Sequence, residues 1–198
     1  MELYTSSFKT SAGAVSVTAT AKGLYALDFG KVKSGSSGKG IPPKVRFLLK
    51  KTESFLKDYF SGRRVKFSAL PIDWSGYHPF AKQVLCQLRR IPSGTTQTYQ
   101  FLAQKAGKPK AMRYVGKIVG SNRTPVIIPC HRILPKAGGL GGFSAGIPWK
   151  KRLLKLERAS VDTMSQVQTG RLARHGMSVI IRPATTIKTR GSTWKHTA

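Results

Sequence analysis

Acidic residues are what this chain has least of. Seven Asp and Glu stand against 35 Lys and Arg in 198 residues, a formal net charge of +28. That balance argues against a cationic partner and for an anionic one. Nucleic acid comes first, because Lys and Arg displace counterions from phosphates, although charge alone does not separate DNA from ribosomal RNA, a heparin-like polymer or an anionic membrane surface. Cysteine is nearly as scarce: there are only Cys86 and Cys130, with no Cys-x-x-Cys and no Cys/His spacing that suits zinc. A disulfide framework and a structural zinc site are not expected on that basis, nor is a metal or cofactor. Long apolar runs are missing too, and none approaches the roughly 18 residues that a membrane span requires. Met1-Glu2-Leu3-Tyr4 lacks the basic-then-apolar pattern of a secretory signal. The expectation is a protein with no membrane partner, in a reducing intracellular compartment, cytoplasmic or, in a eukaryote, nuclear.

What is present is enough apolar material for a core, 40% of residues, and a clear change of character along the chain. Residues 1–30 alternate with period two, as in Val15-Ser16-Val17-Thr18-Ala19, and Gly13, Gly23 and Gly30 punctuate them, which predicts antiparallel strands. A Gly/Ser/Lys-rich loop follows over 31–43. Apolar residues at helical spacing then predict an amphipathic helix over 44–60, with Gly62 placed to follow it. Residues 65–72 read as one more strand. Pro71, Gly76 and Pro79 mark a boundary near residue 75, giving an N-terminal α/β domain over 1–75 and a second domain over 76–158.

In that second domain Pro79 opens a helix at its favoured first position, carrying Cys86 as a buried residue. Thr98 is a candidate N-cap for a short helix over 99–106 that ends at Gly107, and another helix runs from about Lys110 to Val119. Two short helices joined by a Gly-containing turn carry the helix-turn-helix signature. Residues 159–198 have little apolar pattern beyond Val179-Ile180-Ile181 and are expected to form a basic, disordered tail. The tail does not make the chain basic, since residues 1–158 hold 29 of the 35 basic side chains.

The chemistry concentrates in Pro125-Val126-Ile127-Ile128-Pro129-Cys130-His131-Arg132. A short apolar run delivers a cysteine with a histidine directly behind it. A free thiol is only a few per cent thiolate at neutral pH, so a nucleophilic cysteine needs a base or a positive charge close by; His131 and Arg132 are the local candidates. Alone, such a dipeptide more often places a small apolar cysteine beside a satisfied core histidine.

Its surroundings change that reading. From Tyr99 to Glu157 the chain resembles the O6-alkylguanine-DNA alkyltransferases, the methylated-DNA–protein-cysteine methyltransferases. The resemblance rests on Gly94 with Thr98-Tyr99, on Pro109-Lys110-Ala111 leading into Arg113-Tyr114-Val115-Gly116, and on Asn122 eight residues before the cysteine of a Pro-Cys-His-Arg motif. It continues through the glycine loop 138–142, Phe143-Ser144-Ala145-Gly146 and residues 150–157. The first 75 residues resemble the family's N-terminal domain only in the order strand, strand, helix, strand.

The resemblance implies an α+β fold, with a small antiparallel, ribonuclease H-like sheet and helix followed by a helical, winged helix-turn-helix alkyltransferase domain. It implies direct-reversal DNA repair, in which an alkyl group passes irreversibly from O6-alkylguanine in DNA to Cys130 in a single turnover; O4-alkylthymine is left open as a second substrate. Its catalytic set would be Cys130 as acceptor, His131 as the base acting through a water, Glu157 orienting that base, Tyr99 donating to N3 of the leaving guanine, and Asn122 as a hinge. Binding of double-stranded DNA through the minor groove would use Arg113 as a finger filling the gap of a flipped base, with Tyr99, Gln100, Lys108, Ala111 and Tyr114. The small residues Ala111, Val115 and Gly116 would bring that helix close to the groove. Pro125, Ile133, Gly141, Phe143 and Ser144 would line the base pocket. Phe143 departs from the tyrosine that many relatives carry, which removes one hydroxyl near that pocket. The protein would act as a monomer. A lesion-binding protein on the same scaffold is the competing reading, and such proteins lack the acceptor that Cys130 supplies.

Overall fold

The alternation of the first thirty residues becomes three antiparallel strands in the order β1-β2-β3, Tyr4–Thr10, Gly13–Thr20 and Gly23–Phe29. The computed structural model describes residues 1–30 and 40–157; the proposed tail, with its Val179-Ile180-Ile181 run, and most of the Gly/Ser/Lys loop lie outside the described residues. The central strand is buried on both faces. Val15, Val17 and Ala19 turn to the core, while Ser16 and Thr18 on the other face pair with Ser7 and Thr5 across the ladder, hydroxyl to hydroxyl, at 2.8 and 3.0 Å. These pairings let a polar row be buried at little cost.

Helix α1, Pro43–Phe60, begins with proline at its first position and lays Val45, Leu48, Leu49, Leu56, Tyr59 and Phe60 against this sheet. Ser61 caps it, and Gly62 follows in the left-handed region at φ +82°. Residues 65–72 do not form the expected strand. They make one 3₁₀ turn, Phe67–Ala69, and then a single bridge between Ile72 and Leu24. The reason lies in Pro71, which has no amide hydrogen to contribute to a ladder. Its carbonyl instead accepts from Leu24 at 2.9 Å, and Leu24 in turn accepts from Asp73 at 2.8 Å.

The remaining elements are α2, Pro79–Arg89; β4, Gln97–Thr98; α3, Tyr99–Lys105; α4, Met112–Gly120; β5, Ile133–Leu134; and α5, Ile147–Leu156. In α2 the His78 imidazole caps the helix by accepting from Phe80, ahead of Pro79. Cys86 is only half-buried, because it falls one position off the face formed by Val84, Leu85 and Leu88. Helix α4 starts two residues later than its apolar spacing predicts, since Ala111 first closes a turn onto the Lys108 carbonyl. No described helix is long and apolar enough to cross a membrane.

One continuous core crosses residue 75. Phe29 stacks on Trp149 of α5 at 4.3 Å, and Arg152 of the same helix donates to the carbonyls of Ser11 and Ala12. Arg89 of α2 reaches back to the carbonyls of Phe67 and Leu70. The sheet and the helices are thus joined by apolar packing and by arginines spent on backbone oxygens.

Gly23 is where the sheet meets the 71–73 segment. A Cβ there would lie 2.8 Å from both the Pro71 oxygen and the Ile72 carbonyl carbon, at φ +149°. Gly23→Ala is expected to destabilise the protein by at least the ~1–3 kcal/mol of an unfavourable backbone conformation. The check is a lower urea midpoint at unchanged m-value.

Candidate active site

A two-residue parallel ladder organises the site. Gln97 and Thr98 of β4 pair with Ile133 and Leu134 of β5, which sets Tyr99 beside the segment that carries Cys130. The Thr98 hydroxyl caps α3 by accepting from Phe101 at 3.1 Å, as the sequence predicts. Pro125 and Pro129 bracket the apolar run, the Ile128 amide donates to Thr124, and Cys130 opens a 3₁₀ turn, Cys130–Arg132. Between the prolines Val126 sits at φ +72°, a conformation that β-branched residues seldom adopt. It is held there fully buried.

Cys130 is 4% exposed. Asn122, itself buried, donates through Nδ2 to the Ile128 carbonyl at 2.8 Å and to Cys130 Sγ at 3.1 Å, while its Oδ1 accepts from the Thr124 amide. Burial pushes the Cys130 thiol up from its ordinary value, and the Asn122 hydrogen bond and the Lys150 ammonium pull it partly back. The resting sulfur is therefore a neutral thiol that requires a base.

The next residue is a histidine held by a carboxylate. His131 is completely buried, and its Nε2 lies 3.0 Å from Glu157 Oε1. A carboxylate only accepts, so Nε2 carries the proton and the Nδ1 lone pair is free; among the described residues Nδ1 has no hydrogen-bond partner. Burial holds the imidazole below its ordinary value against the attraction of Glu157. Glu157 resists burial in the opposite sense: His131 and Arg132 keep its carboxyl well below the usual carboxylate range. Its oxygens accept from Arg132 Nη2 at 2.6 Å, Arg132 Nε at 2.9 Å, Tyr59 Oη at 2.8 Å and the Gly94 amide at 3.3 Å. Arg132 also donates to the Ile91 carbonyl.

Among the described residues Lys150 is the largest fully buried side chain. Its ammonium donates to the carbonyls of Ile133, Leu140 and Gly142, pinning the glycine loop to β5, and burial brings its pKa down to about 8.

A cavity of about 330 Å³ opens at the sulfur, walled by Tyr99, Gly116, Val119 and Gly120 on α3 and α4, and by Gly142, Phe143 and Ser144 of the loop. That volume falls within the range of small-ligand pockets. The structure thus brings together Cys130, His131, Glu157, Asn122 and Tyr99, with Phe143 and Ser144. Pro125 and Ile133 are buried and Gly141 is exposed, and none of these three lines the cavity. Arg113 is exposed near the start of α4, Gln100 and Ala111 are half-buried, and Lys108 and Tyr114 gather on Phe80, one over its ring at 4.7 Å and the other stacked at 5.9 Å. Val115 is a correction: it is fully buried in the core and does not face a groove.

Tyr59 and Lys150 were not legible as site residues. Tyr59 belongs to the apolar face of α1, and nothing in its spacing distinguishes a working hydroxyl from core aromatic. Lys150 did leave a signal, for it shares a helix face with Leu153, Leu154 and Glu157 at offsets of three, four and seven.

Residues 79–159 match the family model described as 6-O-methylguanine DNA methyltransferase, DNA binding domain. A methylated-DNA–protein-cysteine methyltransferase from Methanopyrus kandleri is 43% identical over 125 residues, 62% of this chain and 91% of that protein. The protein of that name from Haemophilus influenzae is 33% identical over 156 residues, 79% of this chain and 87% of its own length. Among solved structures, the Mycobacterium tuberculosis OGT in complex with DNA superposes with a TM-score of 0.64 at 26% identity, covering 85% of this chain and 97% of that one.

The buried cluster of His131, Glu157 and Arg132 makes stability depend on acid. Because folding depresses the His131 pKa, its contribution is present above the ordinary value of about 6.5 and is lost as pH falls below it; the depressed Glu157 carboxyl adds a second loss further into acid. Thermal melts should fall between pH 7.5 and 5.5 in the parent, and His131→Gln should flatten that stretch. Glu157→Gln, which strands Arg132, should cost about 3–5 kcal/mol at neutral pH in a denaturant titration.

Proposed function

The chain belongs to the methylated-DNA–protein-cysteine methyltransferase family, and from that premise we propose how its own residues carry out direct-reversal repair of O6-alkylguanine in DNA. Cys130 Sγ attacks the alkyl carbon in line, so that the S–C bond forms as the bond from that carbon to guanine O6 breaks. The departing guanine keeps the electron pair and ends with one proton in place of the alkyl group, the equivalent of the proton that the thiol gives up. The thiol proton passes by way of a water to His131 Nδ1, and Glu157 stabilises the imidazolium through Nε2. Tyr99 donates to guanine N3, where charge develops. The product is a thioether, a poor leaving group, so each molecule reacts once.

The observation that carries this reading is the cavity itself, where the sulfur, with an amide donor on it and the buried His131–Glu157 pair next in the chain, shares a base-sized recess with Tyr99, Phe143 and Ser144. Guanine O6 inside a duplex is out of reach of a thiol 4% exposed, so the base must leave the stack. In this reading α3 and α4 form the helix-turn-helix of a winged domain that binds the minor groove, Arg113 fills the gap, and Gln100, Lys108, Ala111 and Tyr114 bear on the backbone and groove. The sheet and α1 are the ribonuclease H-like half, the domains divide near residue 75, and the protein acts as a monomer.

Incubation with a duplex holding one O6-methylguanine should leave a methyl group on the Cys130 peptide in stoichiometric amount, read by mass spectrometry. Binding of the lesion without that mass change would leave a damage-binding protein in place of a transferase. Arg113→Ala is expected to slow repair of the duplex by about tenfold or more while leaving reaction with the free alkylated base near parental; equal losses would remove the finger role.

A further inference from the structure

The residue after the hinge asparagine is held more firmly than a loop position needs. The Arg123 guanidinium lies between two tyrosine rings, its carbon 4.1 Å from the centre of Tyr25 and 4.3 Å from that of Tyr77. Its Nη2 donates to the carbonyls of Asp73 and Ser75 at 3.1 and 2.9 Å. The main chain is gripped as well: the Arg123 carbonyl accepts from Leu27 of β3 at 2.8 Å, and its amide donates to Tyr77 Oη, which donates onward to the Ser121 carbonyl. The turn that supplies the two carbonyls is itself fixed, because buried Asp73 accepts from the Thr20 hydroxyl and the Ser75 amide. A cation between two aromatic faces with a two-pronged donor gives direction as well as attraction.

We propose that Arg123 is a positioning residue for the acceptor thiol, a clamp through which the N-terminal sheet and the 73–77 turn fix Asn122, and through Asn122 the donor on Cys130 Sγ. The proposal deepens the transfer reading and rests on it. Asn122 has to present one amide group to two acceptors, the Ile128 carbonyl and the sulfur, and a small rotation sacrifices the longer bond to sulfur first. Arg123 is covalently next to it, and its grip leaves that rotation no freedom. Repair of a base bound among the helices would thus depend on a sheet that contributes no atom to the cavity.

The test is the rate at which iodoacetamide alkylates Cys130 from pH 6 to 10, in full-length protein in a Cys86→Ser background. Lys150 from α5 and Tyr99 from the head of α3 interact electrostatically with Cys130, the His131–Glu157 pair follows it in the chain, and the amide on the sulfur is that of Asn122. The clamp acts on the last. Because the Asn122 hydrogen bond favours the thiolate, Arg123→Ala should move the rate profile to higher pH, about tenfold slower at pH 7, with the gap narrowing as pH rises. Arg123→Lys, which keeps a cation for the two rings but loses the fork, should recover part of the loss. Tyr77→Phe removes the shared hydroxyl, keeps the ring, and should shift the profile in the same direction by less; it carries the test if Arg123→Ala does not fold. A folded Arg123→Ala or Tyr77→Phe protein with the parental profile overturns the proposal, whatever its melting temperature. No DNA enters this measurement. If the parent takes no methyl group from O6-methylguanine while the profiles shift as expected, the clamp stands and the transfer reading fails.

Discussion

A single buried carboxylate holds the chemistry and the fold to one another. Glu157 ends α5, yet its oxygens accept from α1 through Tyr59, from the turn before β4 through the Gly94 amide, and from the Cys130–Arg132 turn through His131 and Arg132. A charge taken out of water is tolerable only when its lone pairs are filled and an opposite charge stands close. Here Arg132 neutralises it with two nearly parallel bonds, which leaves His131 free to remain neutral and basic. In a chain with so few acids, this one and Asp73 are committed to the interior, and the orientation of the His131 ring follows from the placement of Glu157.

The abundance of basic residues therefore has two destinations. Arg89, Arg123, Arg132 and Arg152 spend their donors on backbone carbonyls and on Glu157, and they stitch the sheet to the helices. Guanidinium suits this work because its fork reaches two oxygens and stays charged in any surroundings the fold provides. Lys105, Lys108, Lys110, Arg113 and Lys117, by contrast, stand exposed on and between α3 and α4. Net charge alone does not separate structural cations from those that meet phosphate.

Much of the site was legible because its parts lie in one stretch with strong local grammar. The asparagine, the two prolines, the Cys-His-Arg triplet and the capping Thr98 each impose a local backbone path or a hydrogen bond that the fold contains. Helices α1 and α2 were legible from spacing, and α2 starts at the proline that announces it, whereas α1 takes in Pro43, which read as the end of the loop. What escaped was whatever depends on two distant segments meeting. Tyr59 is 98 positions from Glu157, and its hydroxyl looks like any core tyrosine until the fold brings the two together. Residues 65–72 looked like a strand because their side chains suit one, but strand pairing is settled by amide hydrogens, and Pro71 withholds one where the ladder would continue. Val115 was read as one of the small residues that bring α4 close to a groove, although the same helix had to bury one face.

Val126 has a consequence for what the acceptor can become. A valine kept at φ +72° between two prolines, fully buried, belongs to a stem with no neighbouring conformation to slide into. The backbone beneath Cys130 is consequently inelastic. Any atom added to the sulfur must find its room on the open side, among Tyr99, Phe143 and Ser144, or by pushing away the amide that touches it. Steric bulk at one sulfur is thereby converted into movement of the walls, with none absorbed below.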